Sequence, residues 1–405
     1  MPRRAAPRKA PEFARVLALE AETAWLWQCG VVRRQAVPPL VRVGDWIDSD
    51  TGELAARGGP GFPHPDGDFH RISQDGGRRW LAIIARARLL QAIRQFFDRR
   101  GFIEVDTPAI ALSPGLELHL DAVQVQVRQG MGGPATSRYL VTSPEYHCKR
   151  LLAAGMPKIY SLAKAFRSGE RGHWHNPEFT MLEWYRAGAT YLDIVRDARA
   201  LVAHCEKALE PLKIASRPKA VSRGWQRLSI AAALKRWAGF DPRNCNDDEY
   251  MRQKAQQFGL NVQPTDTAAE VVLQALVERV EPNLTNLSGV VIDRWPASMA
   301  SLARRFADTP QWAERFEIYV GGIELANGFT ELVDAEEQQN RFVLDQQARL
   351  AHGLPVYPID ERFVAALREG CPPAAGVALG VDRLLMILAG FTDIDDVLFF
   401  PFERA

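Results

Sequence analysis

Two segments about 200 residues apart constrain this 405-residue chain more than any other feature. The first is Phe166-Arg167 followed by His175-Asn176-Pro177-Glu178-Phe179-Thr180-Met181-Leu182-Glu183-Trp184-Tyr185. The second is Gly376-Val377-Ala378-Leu379-Gly380-Val381-Asp382-Arg383. Each carries one arginine at a structurally special place. Two fixed guanidiniums far apart in sequence suit a site that grips a polyphosphate from both ends. The chain has no G-x-x-x-x-G-K-[ST] run and no Gly-Lys dipeptide, so a P-loop is excluded.

The first segment reads as a hairpin. Lys158 to Phe166 and Phe179 to Arg186 are strand-like, and the polar stretch from Ser168, Gly169 and Glu170 to Asn176 joins them. Long loops on rigid strands usually carry function. A period of two puts Phe179, Met181, Glu183 and Tyr185 on one face. Glu183 and Tyr185 then form an acid-plus-hydroxyl pair suited to a cationic amine. Phe179 and Met181 beside them argue against a fully exposed edge.

A second hairpin is expected over Arg315 to Glu331, with Gly321-Gly322 as its two-residue turn. That register sets Tyr319 opposite Glu324 and Glu317 opposite Ala326, so Glu317 and Glu324 face the same way as diagonal neighbours. Their repulsion calls for positive charge. Mg²⁺ shared with phosphates and salt bridges to nearby arginines meet that need equally well. Asn327 and Glu331 lie just beyond, within reach of the same pocket.

In the glycine-flanked segment, Gly380 permits close backbone approach to a ligand. Arg383 falls in the first turn of the helix that follows, expected from about Asp382 to Ala389 and closed by Gly390. A cation there opposes the helix dipole, which points to an anion-binding role, with pairing to Asp382 as the plain alternative. Ser143-Pro144-Glu145 opens another helix, with Ser143 as N-cap, Pro144 at N1 and Glu145 complementing the dipole.

Around these segments the organisation is coarse. Residues 1–11 form an Arg/Lys/Pro-rich tail. Short strands are expected over Phe13–Leu19, Thr23–Trp27 and Val41–Ile47, either a small β-barrel of the OB type or a β-rich cap on the core. Residues 57–78 read as a linker. Ile83, Ala87, Leu90, Ile93 and Phe97 recur as a helical stripe, followed by a strand over Phe102–Thr107 that stops at Pro108. The stretch of about 190–290 is mostly helical and reads as an insertion without a chemical motif. Strand signals resume at Arg315. The expected class is therefore α+β, a mostly antiparallel sheet flanked by helices, with residues 1–78 as an extension and 79–405 as the main domain.

Composition narrows the function classes. Fifty basic and 49 acidic residues give a net charge of +1, so there is no basic field of the kind a tRNA footprint needs. Five scattered cysteines, none in C-x-x-C spacing, indicate neither a disulfide framework nor a zinc site and suit a reducing cytoplasm. No apolar run approaches the ~20 residues of a membrane span.

Together the segments resemble the class II aminoacyl-tRNA synthetase core. Residues 83–108 look like its motif 1, 160–186 like motif 2 and 376–390 like motif 3. His175 to Met181 and Glu324-x-x-Asn327-Gly328-Phe329-x-Glu331 are similar to the lysyl branch. Leu182-Glu183-Trp184-Tyr185-Arg186 and Gly376 to Leu384 are closer still to its truncated paralogues, which join (R)-β-lysine to elongation factor P. The resemblance implies that Arg167 holds the α-phosphate and Arg383 the far phosphates of ATP, with Ser168, Gly169, Glu170, Asn176, Leu325 and Gly380 lining the nucleotide site. It implies Mg²⁺ on Glu317 and Glu324. It gives the amino acid to Ser143, Pro144, Glu145, Glu183, Tyr185, Asn327, Glu331 and Ala378, and it implies a homodimer.

Two departures from the family pattern stand out. Motif 2 usually reads Arg-Asn-Glu, whereas here it is Arg167-Ser168-Gly169-Glu170. Motif 3 of the lysyl enzymes usually reads Gly-Leu-Gly-Ile-Gly, and here Ala378 replaces the middle glycine, which should narrow the pocket in favour of β-lysine over lysine. Three functions follow in order: a ligase acting on elongation factor P, a minimal lysyl-tRNA synthetase, and an inactive synthetase-like binding module. A lysyl-tRNA synthetase needs an anticodon-binding domain, which the short extension does not obviously supply. An inactive module has no need of Arg167, Glu317, Glu324 and Arg383 together.

Overall fold

A computed structural model of the protein describes residues 12–28, 31–214, 221–242 and 244–405. The basic tail at residues 1–11 and Cys29 lie outside the described residues. Contacts divide the chain into two units, Met1–Ala85 and Arg86–Ala405.

The first unit is a five-stranded antiparallel sheet: β1 (Phe13–Glu20), β2 (Thr23–Gln28), β3 (Val31–Ala36), β4 (Trp46–Asp48) and β5 (Leu54–Ala56), in the order β3-β2-β1-β4-β5. Alternation buries one face, with Ala14, Val16, Ala24, Leu26, Val41 and Ile47 as its core. The strand expected over Val41–Ile47 shrinks to Trp46–Asp48. Gly44 takes φ +91°, and the Asp45 carboxylate accepts the Arg42 and Gly58 N–H groups at 2.9 and 2.8 Å, so the chain turns there. β3 was not expected, because Arg33, Arg34 and Gln35 mask its pattern.

The expected linker at 57–78 is half helix, since α1 runs over Asp68–Asp98. Its buried side chains include Ala82, Ala85, Leu89, Ala92, Ile93, Phe96 and Phe97, whereas Ala87 is exposed. The expected stripe is thus rotated, because small alanines rather than Ile83 and Leu90 face inward. The strand after it is only β6 (Ile103–Glu104).

The second unit is built on an eight-stranded sheet. With β7 (Ile110–Ala111), β8 (Gln124–Arg128) and β9 (Ala135–Leu140) forming a separate small sheet, the large one contains β6, β10 (Lys158–Phe166), β11 (Glu178–Ala187), β12 (Gln226–Ser229), β13 (Val290–Pro296), β14 (Trp312–Val320), β15 (Ile323–Thr330) and β16 (Ala374–Gly380). Its order is β12-β13-β14-β15-β16-β11-β10-β6. Only the outermost pairs, β12–β13 and β10–β6, are parallel. This is the expected α+β class with a mostly antiparallel sheet. Strand structure resumes earlier than Arg315: β13 reads Val-Val-Ile-Asp-Arg-Trp-Pro and is buried at all but one position, and a continuous run of this kind has no period to distinguish it from a helix.

Helices cover the sheet. α2 (Glu145–Ala153) packs on β10 and β11, and α3 (Tyr191–Leu209) packs on β14, β15 and β16 through a stripe that includes Ile194, Ala198, Leu201 and Cys205. The segment expected as an insertion contains α4 (Ile230–Ala233), α5 (Asp248–Gln257), α6 (Ala268–Ala275) and α7 (Glu281–Leu284), but also the edge strand β12. It has its own core of Ile230, Leu234, Met251, Val271 and Val272, which joins Ile292, Trp295 and Tyr319 of the sheet. α8 (Ala335–Ala351) and α9 (Glu361–Glu369) pack together, and α10 (Val381–Ala389) follows β16 directly. Among the described residues, no helix is long and apolar enough to cross a membrane.

Candidate active site

The register of four neighbouring strands assembles the site. Glu317 of β14 pairs with Asn327 of β15, Asn327 with Ala378 of β16, and Ala378 with Glu183 of β11. The next row is Arg315, Phe329, Gly376 and Tyr185. Directly opposed residues share a face, so one face of the sheet presents both rows.

This differs from the hairpin register expected above. Tyr319 does oppose Glu324, but the register then shifts, and Glu317 opposes Asn327 rather than Ala326. Leu325 is the extra residue of a bulge. Strict alternation would put Glu324 and Asn327, three apart, on opposite faces. The bulge reverses the parity and brings both to the face of Glu317. Leu325 itself is buried, so what it can offer a ligand is main chain.

One half of the face is acidic. Glu183 is fully buried and accepts the Ser143 hydroxyl at 2.5 Å and the Tyr185 hydroxyl at 2.7 Å. Ser143 also accepts the Glu145 N–H at 3.0 Å, but the expected cap is shifted: the N-cap of α2 is Pro144, not Ser143, and no side chain caps the helix. Pro144 is the residue at the helix boundary. Lys149, one turn beyond Glu145, places its Nζ 2.6 Å from Glu145 Oε1 and 2.6 Å from Glu331 Oε2. Burial disfavours the Lys149 charge, but Glu145 and Glu331 outweigh it and hold its pKa above the ordinary value. Burial, and then the charge of Glu145, push the Glu183 carboxyl up. Burial also raises Glu331, against the pull of Lys149. Gly376 is needed here: a Cβ on it would lie 2.3 Å from the Tyr185 ring and 2.8 Å from Glu331 Oε1. Ala378, between Glu183 and Asn327, is the methyl at the centre of the row.

The other half is rich in arginine. Arg315 donates to Glu317 at 2.7 Å and to Asn327 Oδ1 at 3.3 Å, while the Tyr319 hydroxyl donates to Glu317 at 2.6 Å. Burial raises the Glu317 carboxyl, opposed by Arg315. Arg383 donates to the Glu324 carbonyl at 2.7 Å, lies 3.2 Å from its carboxylate, and donates to His175 Nε2 at 2.6 Å. Burial, and next the charge of Arg383, hold His175 below its ordinary pKa, so it stands as the neutral acceptor. Asp382 does not pair with Arg383. It binds Arg86 and accepts the Thr180 N–H at 2.7 Å, fixing the start of α10 to β11.

Arg167 lies over the Phe179 ring at 5.2 Å and 3.6 Å from Glu170. Gly169 at φ +79° makes the turn that returns Glu170 to Arg167 despite the extra residue. Ser168 donates its N–H to the Asp121 carbonyl at 2.7 Å. Asn176 is buried, with its amide engaged at both ends: it donates to the Glu178 carbonyl at 2.7 Å and accepts the Phe402 N–H at 3.1 Å. Its side chain shapes the loop and ties it to the chain end.

The sequence reading missed three residues. Lys149 was visible in principle, as Glu145 and Lys149 are four apart on one helix face. Arg315 was visible too, two residues from Glu317 on a strand. Glu281 had no signal. It comes from α7, and burial followed by the charge of Glu324 pushes its carboxyl up.

In the arginine-rich half the expected salt bridges are present, Glu317 with Arg315 at 2.7 Å and Glu324 with Arg383 at 3.2 Å. Among the described residues no group of three or more His, Cys, Asp or Glu side chains forms a metal cage. Glu317 and Glu324 instead give a two-carboxylate edge, the kind that holds Mg²⁺ when phosphates supply the remaining oxygens.

Known proteins resemble the chain over most of its length. The family of class II tRNA synthetases (D, K and N) matches residues 78–404. The chain is 41% identical over 332 residues to a Proteus mirabilis protein named elongation factor P–(R)-β-lysine ligase, covering 80% of this chain and 95% of that one. Proteins of the same name from Hamiltonella defensa and Edwardsiella ictaluri are 40% and 41% identical, again over 80% of this chain and 95% of theirs.

Proposed function

This chain belongs to the class II tRNA synthetase family, and from that premise we propose that it activates (R)-β-lysine, or lysine, with ATP and transfers it to a lysine ε-amine of elongation factor P. The observation that carries this reading is the division of one sheet face. Glu145, Glu183 and Glu331 surround a single built-in cation, Lys149, beside a half lined by Arg167, Arg315 and Arg383. A buried acidic pocket asks for ammonium groups, and the arginines ask for phosphates.

The chemistry needs no covalent side chain. A carboxylate oxygen of the amino acid attacks the α-phosphorus of ATP, the bond to the bridging oxygen breaks, and pyrophosphate leaves. The product is an aminoacyl-adenylate. The acceptor amine then attacks its carbonyl carbon, AMP leaves, and an amide forms. Catalysis rests on positioning and charge neutralisation. Arg167 neutralises the α-phosphate and Arg383 the far phosphates, exchanging Glu324 for them. Glu317 and Glu324 would hold Mg²⁺, which supplies further positive charge to the phosphates. Ser143, Glu145, Glu183, Tyr185, Asn327 and Glu331 hold and orient the amino acid. Ser168, Gly169, Glu170, Leu325 and Gly380 line the nucleotide, with Asn176 shaping the loop that carries them.

We assign residues 79–405 to the catalytic domain and 1–78 to an extension, and we expect a cytoplasmic homodimer. ATP–pyrophosphate exchange tests the reading. Exchange with (R)-β-lysine or lysine supports it; an inactive binding module shows none. The first unit, a sheet with its own core, keeps charging of tRNA as the second reading. Exchange followed by transfer to tRNA and not to elongation factor P would select it.

A further inference from the structure

Lys149 belongs to no role described above. It projects from α2 into the acidic half, only 2% exposed, and touches two carboxylates from different elements at 2.6 Å each. The Phe329 and Phe363 rings lie 5.0 and 5.8 Å from its Nζ, so water is replaced by aromatic faces. A buried lysine in such a place is costly unless its charge is used.

We infer that Lys149 is a positioning and specificity-determining residue, which ties Glu145 to Glu331 and sets the charge deficit that the amino acid must fill. This rests on the proposed function. When ammonium groups bind and the three carboxylates (Glu145, Glu183 and Glu331) meet them ionised, the one built-in ammonium of Lys149 leaves the pocket two positive charges short, three minus one. An amino acid with two ammonium groups, its carboxylate directed to the phosphate, fills that deficit. A monoamino acid leaves a buried charge unmatched. Glu117 and Cys371 form no ion pair with Lys149 among the described residues, and burial raises the pKa of both.

The count predicts an unusual rescue. Glu331→Gln alone leaves a deficit of one, two minus one, so the second ammonium of the amino acid goes unmatched. Removing Lys149 as well, in Lys149→Met/Glu331→Gln, restores the deficit of two on Glu145 and Glu183. In ATP–pyrophosphate exchange the pair should show a KM for (R)-β-lysine about tenfold lower than Glu331→Gln alone, with the KM for ATP unchanged. A KM equal to or above that of Glu331→Gln overturns the inference, because Lys149 would then only fill space. The same proteins, without amino acid, are melted at about pH 9.5, above the range in which Glu183 and Glu331 hold protons. The pair should melt above Lys149→Met, which carries three uncompensated acids, and folding of the pair where Lys149→Met fails to fold counts the same way. A pair no more stable than Lys149→Met overturns the charge-setting role. Since melting needs no substrate, it reads Lys149 even where wild-type protein fails to exchange with either amino acid, an outcome that sinks the proposed function alone.

Discussion

The two halves of the site solve opposite electrostatic problems with different architecture. The acidic half stands on rigid parts: Glu183 and Tyr185 in the middle of β11, Glu145 and Lys149 on α2, Glu331 just past β15. All but Glu145 are buried, and every acid has a fixed partner. In the arginine half Arg315 also stands on a strand, β14, but Arg167 sits at the start of a hairpin loop and Arg383 in the first turn of α10. Those two cations are held by partners that phosphates can replace: Glu170, His175 and Glu324. A small cation is selected by a preformed, dry pocket, whereas a polyphosphate is gripped by side chains that wait on temporary partners.

The largest test of this contrast lies in the arginine half. Arg383→Ala should lower ATP–pyrophosphate exchange by about 10³-fold, in line with other phosphate-clamping arginines. The protein should keep its melting temperature within a few degrees, because the partners of Arg383 are replaceable. A large loss of stability would show that Arg383 belongs to the rigid class.

In the acidic half the loss should fall on one substrate. Glu183→Gln should raise the KM for the amino acid by about 10²-fold, roughly the 2–5 kcal/mol lost when one side of a buried charge pair is removed. The KM for ATP should not move. If both change together, the halves are not separable.

Gly376→Ala tests how tightly the rigid half is packed. Its methyl would meet the Tyr185 ring at 2.3 Å, and overpacking of this kind costs about 1–3 kcal/mol. Thermal melting should fall accordingly, with the KM for the amino acid raised. Unchanged melting would mean that the Tyr185 ring is free to move.

The pH dependence is smaller and has a definite sign. Glu183 and Glu331 are raised to about 8 in the folded protein, well above the ordinary glutamate value of about 4.3. The folded state without substrate therefore holds protons that the unfolded chain has released. Stability should fall as pH rises from about 4.3 through 8 and level off above it. Ionised acids are what an ammonium needs, so the KM for the amino acid should drop over the upper part of the same window. Melting curves that rise across it would contradict the burial of these groups.

The smallest effect concerns choice between two amino acids. Ala378 sits between Glu183 and Asn327, and Ala378→Gly should shift relative use from (R)-β-lysine toward lysine. Loss of one methyl in a pocket is worth about 1–3 kcal/mol of discrimination. Equal use of both amino acids before and after the change would remove Ala378 from the specificity argument.

These contrasts also explain what could be read from the sequence. Arg167, Glu183, Tyr185 and Arg383 were legible because each sits in a long motif with a local period or a helix start. The relation of Glu324 to Asn327 was not, since it depends on a bulge that no alternation reveals. Lys149 was four residues from Glu145 and still passed unnoticed, because its second partner, Glu331, is brought to it by the fold alone. α1 takes in the last eleven residues of the expected linker at 57–78, 68–78, where no apolar stripe marks the helix.

The most direct test of the central claim is intact mass spectrometry of elongation factor P from the same organism after incubation with this protein, Mg²⁺, ATP and (R)-β-lysine, with a parallel reaction supplying lysine and tRNA. The account predicts a gain of one lysyl unit on elongation factor P and uncharged tRNA. Charged tRNA with unmodified elongation factor P would contradict it.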